Sequence, residues 1–331
     1  MRGIITAFRQ GGKEHVLAEK DITEKLLEDY GDVFSDIVNG FIFYGKPVVT
    51  EDELTDIHTV SQYKAFDGKL HGEERDVAKC WKHGVVNIAV LGIENQSEIF
   101  ASMPLRVIGY DGASYRSQLT EYDSKVRAWK AKRQDDDMDV NTNRSEFHPV
   151  PVLTIVLYFG IDHWTRNLRL KELLDIPAEM DRFINDYRIN VFEISWLSDE
   201  QISMFKSDFR IVADFFSKKR RNPDYIPDNP TEILHVDEVL KFISAVTKDR
   251  RYEAIIEDDS ENKEVRTMCD VAERLEQRGI AKGITQGERL GVIKTLKELV
   301  TDKILTVSDA AKRAGMSVSD FKTAAGIIAD R

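Results

Sequence analysis

The chain has 331 residues, 42% of them hydrophobic, enough for two domains or one elaborated domain with a sizeable core. A formal net charge of -11 and a pI near 5.3 argue against a constitutive polyanion-binding surface, although local patches answer to partners independently of the sum. Cys80 and Cys269 lie far apart, which excludes a disulfide framework and a CxxC zinc pattern.

The opening residues, MRGIITAFRQGGKEH, lack the apolar core of a signal peptide. No apolar run approaches about 18 residues, so no membrane span is expected. A soluble cytoplasmic protein is the expectation. Asp21-Ile22-Thr23-Glu24 has the form of a capping box with Asp in place of Ser or Thr, opening a helical pattern of Ile22, Leu26, Val33, Ile37 and Ile42. Residues 46–72 read as loops and short strands. ERDVAKCWKHGVVNIAVLGIENQ predicts two strands around Gly84. SMPLRVIGYDGASYRSQL spaces Leu105, Ile108 and Tyr115 loosely as a helix face, with Gly109 and Gly112 weakening it. Arg133 to Glu146 is a charge-dense loop.

PVPVLTIVLYFG, residues 149–160, has the length and composition of a central strand buried on both faces. GIDHW is a turn, RLKELLDI is helical, and INVFEISWL, residues 189–197, is a second buried strand. DEQISMFKSDFRIVADFFSKKRR predicts one amphipathic helix, whose terminal cations Lys218 to Arg221 complement a helix C-terminus. Strands alternating with helices predict an α/β core. NPDYIPDNPTE, with three prolines in 222–232, is the expected linker between an α/β domain, 1–221, and a helical region, 233–331.

Asp76 opens the first strand of the pair around Gly84, and Glu94 closes the second. Their midpoint is position 85. A hairpin turning there sets them opposite each other, with Cβ atoms about 4.5–5.5 Å apart. Like charges so placed repel unless a cation lies between them, and two carboxylates with room for water suit Mg²⁺. A register shifted by two, or two carboxylates wet at a sheet end, accounts for the same residues. Gln96 shares the Glu94 face by strand alternation. Its amide can hold water or phosphate by hydrogen bonding but is neither acid nor base; satisfying backbone groups is its other reading. Arg106, Tyr110, Tyr115 and Arg116 follow on the predicted helix. Arg with Tyr can grip phosphate and stack a base, or pack its stem over the sheet. No histidine pair has zinc-ligand spacing, and Walker A, GxGxxG and GxSxG motifs are absent.

Asp, a hairpin, then Glu-x-Gln at a strand end resembles the PD-(D/E)XK nuclease core. DVAKCWKHGVVNIAVLGIENQS, MPLRVIGYDGASYRSQL, PVLTIVLYFG and NVFEISWL look like the Rpn family of recombination-promoting nucleases, also described as transposases, over roughly residues 20 to 280. The resemblance implies a restriction-endonuclease-like core, a central mixed sheet flanked by helices. It also implies DNA cleavage dependent on Mg²⁺, with Mn²⁺ as an alternative, in recombination, mobile elements or defence against foreign DNA. Asp76 and Glu94 carry over as metal ligands and, with Gln96, as catalytic residues; Arg106, Tyr115 and Arg116 are the candidate substrate-binding residues. Gln96 stands where the superfamily commonly has Lys, although the Rpn pattern also has Gln there. A neutral amide gives up charge that stabilises a pentavalent phosphate, so slow turnover or a second metal is expected. The family usually adds an acid on the first helix, for which Glu24, Asp32 and Asp36 are candidates; each also reads as a solvated helix-face charge.

Gly279, Gly283, Gly287 and Gly291 form a stripe on one helix face. Four glycines cost on the order of 4 kcal/mol against alanine. Close packing on another helix, including that of a second copy, would offset this; a partly helical tether is the alternative. LTVSDAAKRAGMSVSDFKTAAGI resembles a helix-turn-helix over 307–325, with Phe321 packing back onto the first helix. DNA is the expected partner, with self-association through the C-terminal helices a further expectation. The alternative from another class is a catalytically weak DNA-binding or assembly protein that keeps the nuclease fold.

Overall fold

The computed structural model describes residues 27–57, 60–64, 70–74, 76–84, 86–133, 147–256 and 265–327. The chain divides into two units, Met1–Met268 and Cys269–Arg331. The first is α/β. Strands β1 (Leu54–Asp56), β4 (Val77–His83), β5 (Val86–Gln96), β6 (Val152–Tyr158) and β7 (Asn190–Glu193) form one open sheet in the order β1-β4-β5-β6-β7. The β1–β4 and β4–β5 pairs are antiparallel, and β5–β6 and β6–β7 are parallel, so the sheet is mixed. Strands β2 (Val60–Lys64) and β3 (Leu70–Glu74) make a separate hairpin. The apolar run VLTIVLY lies at β6, between β5 and β7, as a strand buried on both faces should.

The hairpin of β4 and β5 turns between His83 and Val86, where Gly84 takes φ +60°. Val77 pairs with Ile93 and Ala78 with Gly92; a bulge between Trp81 and Lys82 absorbs one residue near the turn. Helices cover both faces. On one, α1 (Gly31–Ile42) packs Phe41 on Phe192 of β7 at 4.2 Å between ring centroids. Gly40 is required there, because a Cβ would lie 2.1 Å from a ring carbon of Phe205. On the other, α2 (Met103–Arg133) seats Met103 and Val107 against Val156 of β6 and Ile189. This helix runs 31 residues through both glycines; propensity is a weak prior beside a packed face.

Several expectations are corrected. INVFEISWL is strand only to Glu193, then a 3-10 turn, Ile194–Trp196, where buried Ser195 Oγ donates to the Phe159 carbonyl. RLKELLDI contains only a 3-10 turn, Leu170–Leu173. The helix expected over 199–221 is two, α3 (Asp199–Ile202) and α4 (Phe209–Arg221). Between them the carboxylate of Asp36 accepts from Lys206 N and Ser207 N at 2.7 Å each, diverting those amides from a helix. The cations ending α4 have partners within the chain: Lys218 on Asp214 and Asp228, Arg220 over the Trp196 ring, Arg221 on Asp199. The proline-rich stretch 222–232 is not the division between units. Beyond it, α5 (Val236–Thr247) and α6 (Arg251–Ile256) return to the α/β unit, with Phe242 against Phe159 and Tyr252 against Phe215. The boundary therefore falls at 268/269. The capping box at 21–24 and the loop at 134–146 lie outside the described residues.

The second unit is helical. Helix α7 (Met268–Thr301) runs into it from the last residue of the first. Its Ile293 and Leu296 pack with Ala310 and Ala311 of α8 (Val307–Arg313) and Phe321 and Ala325 of α9 (Val318–Ala325). Thr306 and Ser317 cap α8 and α9, each accepting from a backbone N–H three residues on, and Gly315 turns between them at φ +65°. Phe321 is fully buried in this cluster. The four glycines of α7 meet no atom within 4 Å of an added Cβ among the described residues, so close packing against those residues does not offset their cost. No described helix is long and apolar enough to cross a membrane.

Candidate active site

The pairing of β4 with β5 runs to Val77 and Ile93, and the next opposed positions in that register are 76 and 94. Asp76 and Glu94 therefore face each other where the two strands part, on the sheet face covered by α2. Glu94 is wholly buried, Asp76 nearly so. At this point Asp76 takes over from the backbone ladder: its Oδ2 accepts the Asn95 N–H at 2.7 Å. Gln96 returns to the Glu94 face and donates from Nε2 to Glu94 Oε1 at 3.3 Å.

A buried carboxylate is costly unless it is paired. Glu94 is met from α2 by Arg106, whose Nη1 lies 3.0 Å from Oε1. Arg106 Nε donates to the Tyr110 hydroxyl at 2.8 Å, one helical turn further on. Burial works against the Arg106 charge, but Glu94 and Tyr110 outweigh it and hold the guanidinium above its ordinary pKa. The Tyr110 phenol is pushed well above its usual range, first by burial and then by the Glu94 charge. On the opposite sheet face Asn95 Nδ2 donates to Glu28 Oε2, and Glu28 is wholly buried.

Of the expected first-helix acids, Asp32 and Asp36 do not join this cluster. Glu24 lies outside the described residues. Asp32 pairs with His235 at 3.3 Å, and Asp36 caps the break before α4. Glu28 reaches the strand end instead. A signal existed, since 24, 28, 32 and 36 form one four-residue series, but the chain breaks its helix at Asp29-Tyr30, and of the described members Glu28 is the one that reaches the strand end. Tyr115 and Arg116 also fall away from the site. At about 1.5 Å per residue, nine helical residues put Tyr115 roughly 14 Å along α2 from Arg106. There the Tyr115 hydroxyl accepts from Val152 N at the start of β6, at the far end of the sheet, and Arg116 is exposed.

Asp76, Glu94, Gln96 and Arg106 are thus brought together, with Tyr110 behind Arg106 and Glu28 reaching in through Asn95. Among the described residues no group of three or more His, Cys, Asp or Glu side chains is arranged as a metal-binding group. The two opposed carboxylates are hard oxygen donors of the kind Mg²⁺ and Mn²⁺ take with several waters retained. That donor set fits such an ion provided Arg106 yields Glu94. Comparison of the chain with family models, curated proteins and solved structures finds no match.

Proposed function

We propose that the chain is a metal-dependent endonuclease that hydrolyses DNA phosphodiester bonds on a nuclease-like core. The observation that carries this reading is the β4–β5 register, which sets Asp76 against Glu94 at a buried strand end that Gln96 and Arg106 also reach. The resemblance of the same stretches to the Rpn family supports DNA as the substrate, and recombination, mobile elements or defence as the setting.

Mg²⁺ or Mn²⁺ bound at Asp76 and Glu94 would supply a polarised phosphate oxygen and a more acidic water. The remaining work falls to the chain. Gln96 orients water or phosphate through its amide, holding no proton that it can give up. Arg106 grips a non-bridging phosphate oxygen. A water oxygen bonds to phosphorus as the ester P–O bond breaks, leaving a phosphomonoester and a hydroxyl. Supercoiled plasmid incubated with Mg²⁺, Mn²⁺ or EDTA tests this, with Asp76→Ala and Glu94→Ala beside the wild type. Metal-dependent nicking lost in both variants is expected. Clean wild type that leaves plasmid intact, or nicking that survives both substitutions, ends the proposal.

A second reading is favoured by one observation: both carboxylates already serve the fold, Asp76 on the Asn95 amide and Glu94 on Arg106. The protein would then bind DNA or assemble on it and cleave weakly. DNA retained equally in Mg²⁺ and in EDTA, without nicking, is the outcome that selects it.

A further inference from the structure

Arg106 stands where an incoming cation has to go. Its guanidinium lies 3.0 Å from Glu94 Oε1, the oxygen that Gln96 also approaches. The two members of the ion pair differ in freedom. The Glu94 side chain is wholly buried, whereas the Arg106 side chain keeps 32% of its surface in solvent. The rings of Phe100 and Tyr110 each have their centroid 5.8 Å from its guanidinium carbon, so the charge lies against aromatic faces. The carboxylate is fixed by the strand; the guanidinium is the partner that can leave.

We propose that Arg106 has two seats: Glu94 in the metal-free protein, and the scissile phosphate once Glu94 has taken a divalent ion. The proposal rests on the nuclease reading of this site and deepens it. Arg106 competes with the ion for Glu94, which keeps the buried carboxylate paired while the site waits. Displaced, it supplies from the helix the positive charge that neutral Gln96 lacks on the strand. In the cleavage step the attacking water forms its bond to phosphorus, the ester bond breaks, and the water proton goes to solvent or the leaving oxygen. Arg106 keeps its own protons and donates N–H bonds to a non-bridging oxygen throughout.

The test is the affinity of the full chain for Mn²⁺ alone, read by calorimetry, in wild type, Arg106→Gln and Tyr110→Phe. The second variant leaves the guanidinium in place but removes the phenol that holds its Nε. Mn²⁺ should bind Arg106→Gln tighter by about tenfold, because a like charge beside the ligand is gone, and Tyr110→Phe tighter by a smaller factor. Plasmid cleavage should move the other way, falling about a hundredfold in Arg106→Gln. Adding Gln96→Lys to that variant should return part of the lost rate. Mn²⁺ binding no tighter in either variant overturns the proposal. If Arg106→Gln does not fold, Tyr110→Phe alone decides on the same terms. Wild type that binds Mn²⁺ in this affinity order but never cleaves DNA removes the nuclease reading and the phosphate seat with it, and leaves the competition at Glu94 standing.

Discussion

Glu94 and Asp111 are both buried carboxylates between α2 and the sheet, and they are held in opposite ways. Glu94 comes from the strand and meets a cation of the helix, Arg106, that reaches solvent. Asp111 comes from the helix and meets hydroxyls of the α/β unit. Thr154 Oγ of β6 donates to its Oδ1 at 2.6 Å, and the Tyr187 hydroxyl donates to its Oδ2. Neutral hydroxyls, of buried Thr154 and half-buried Tyr187, fasten helix to sheet. A half-exposed guanidinium pairs its carboxylate and can exchange it. The chemistry of the partner, more than the depth of the acid, separates a fastening from a candidate site.

The sharpest way to break that contrast is to remove one acid at a time and measure both cleavage and stability. Glu94→Ala and Asp76→Ala should lower plasmid cleavage about a thousandfold or more, the scale of losing a group that places the reacting charge. Asp111→Asn, assayed at a temperature where it is folded, should cleave within a few-fold of wild type. Equal losses at Glu94 and Asp111 would mean that the strand end contributes no chemistry of its own.

Stability should order the two acids the other way. Asp111→Ala strands the buried Thr154 hydroxyl on β6 and the half-buried Tyr187 hydroxyl, at a cost of about 2–4 kcal/mol. Glu94→Gln keeps shape and an acceptor, and Arg106 can turn to water, so about 1–2 kcal/mol is expected. Urea midpoints measure both. A larger loss at Glu94 would make Arg106 a structural clamp and remove the reason to expect it to move. Thr154→Val, which takes away one donor and leaves Asp111 the others, should cost about 1 kcal/mol.

The sequence made the strand-end site legible and the fastening illegible, for one physical reason. The hairpin is local: Gly84 and the alternation through β4 and β5 fix which residues oppose, so Asp76, Glu94 and Gln96 could be placed by counting. Arg106 follows within a short loop and one helical turn. Asp111, Thr154 and Tyr187 are brought together across 43 and 76 residues of chain, and nothing local in Asp111 marks it. The same limit explains Tyr115 and Arg116, which sit near Arg106 in sequence but are carried down α2 to the start of β6. It also explains the boundary. Three prolines in 222–232 look like a linker, whereas the return of Phe242 to Phe159 depends on contacts that composition does not carry. The C-terminal turn was legible because its signals are local too: Thr306, Ser317 and Gly315 sit at caps and a turn, and Phe321 is the one large apolar residue of α9.

The smallest expected effect uses Tyr110 as a reporter of the Glu94 charge. Burial is the main reason its phenol is pushed up, as for Tyr225 and Tyr252, each held at about 12. At Tyr110 the Glu94 carboxylate adds to that push, with Arg106 opposing. A phenol whose pKa is raised by folding contributes stability that is complete below its ordinary value near 10 and is lost as pH rises through the raised one. Alkaline titration followed by tyrosinate absorbance should therefore show these phenols ionising late and together with unfolding. Glu94→Gln removes the added push and should bring the Tyr110 step to lower pH, and Asp111→Asn should move it less, since the carboxylates that chiefly raise it are Glu94 and then Asp76. If both substitutions shift the step alike, the low-dielectric space around α2 is one shared environment, and the two carboxylates differ in their partners but not in their reach.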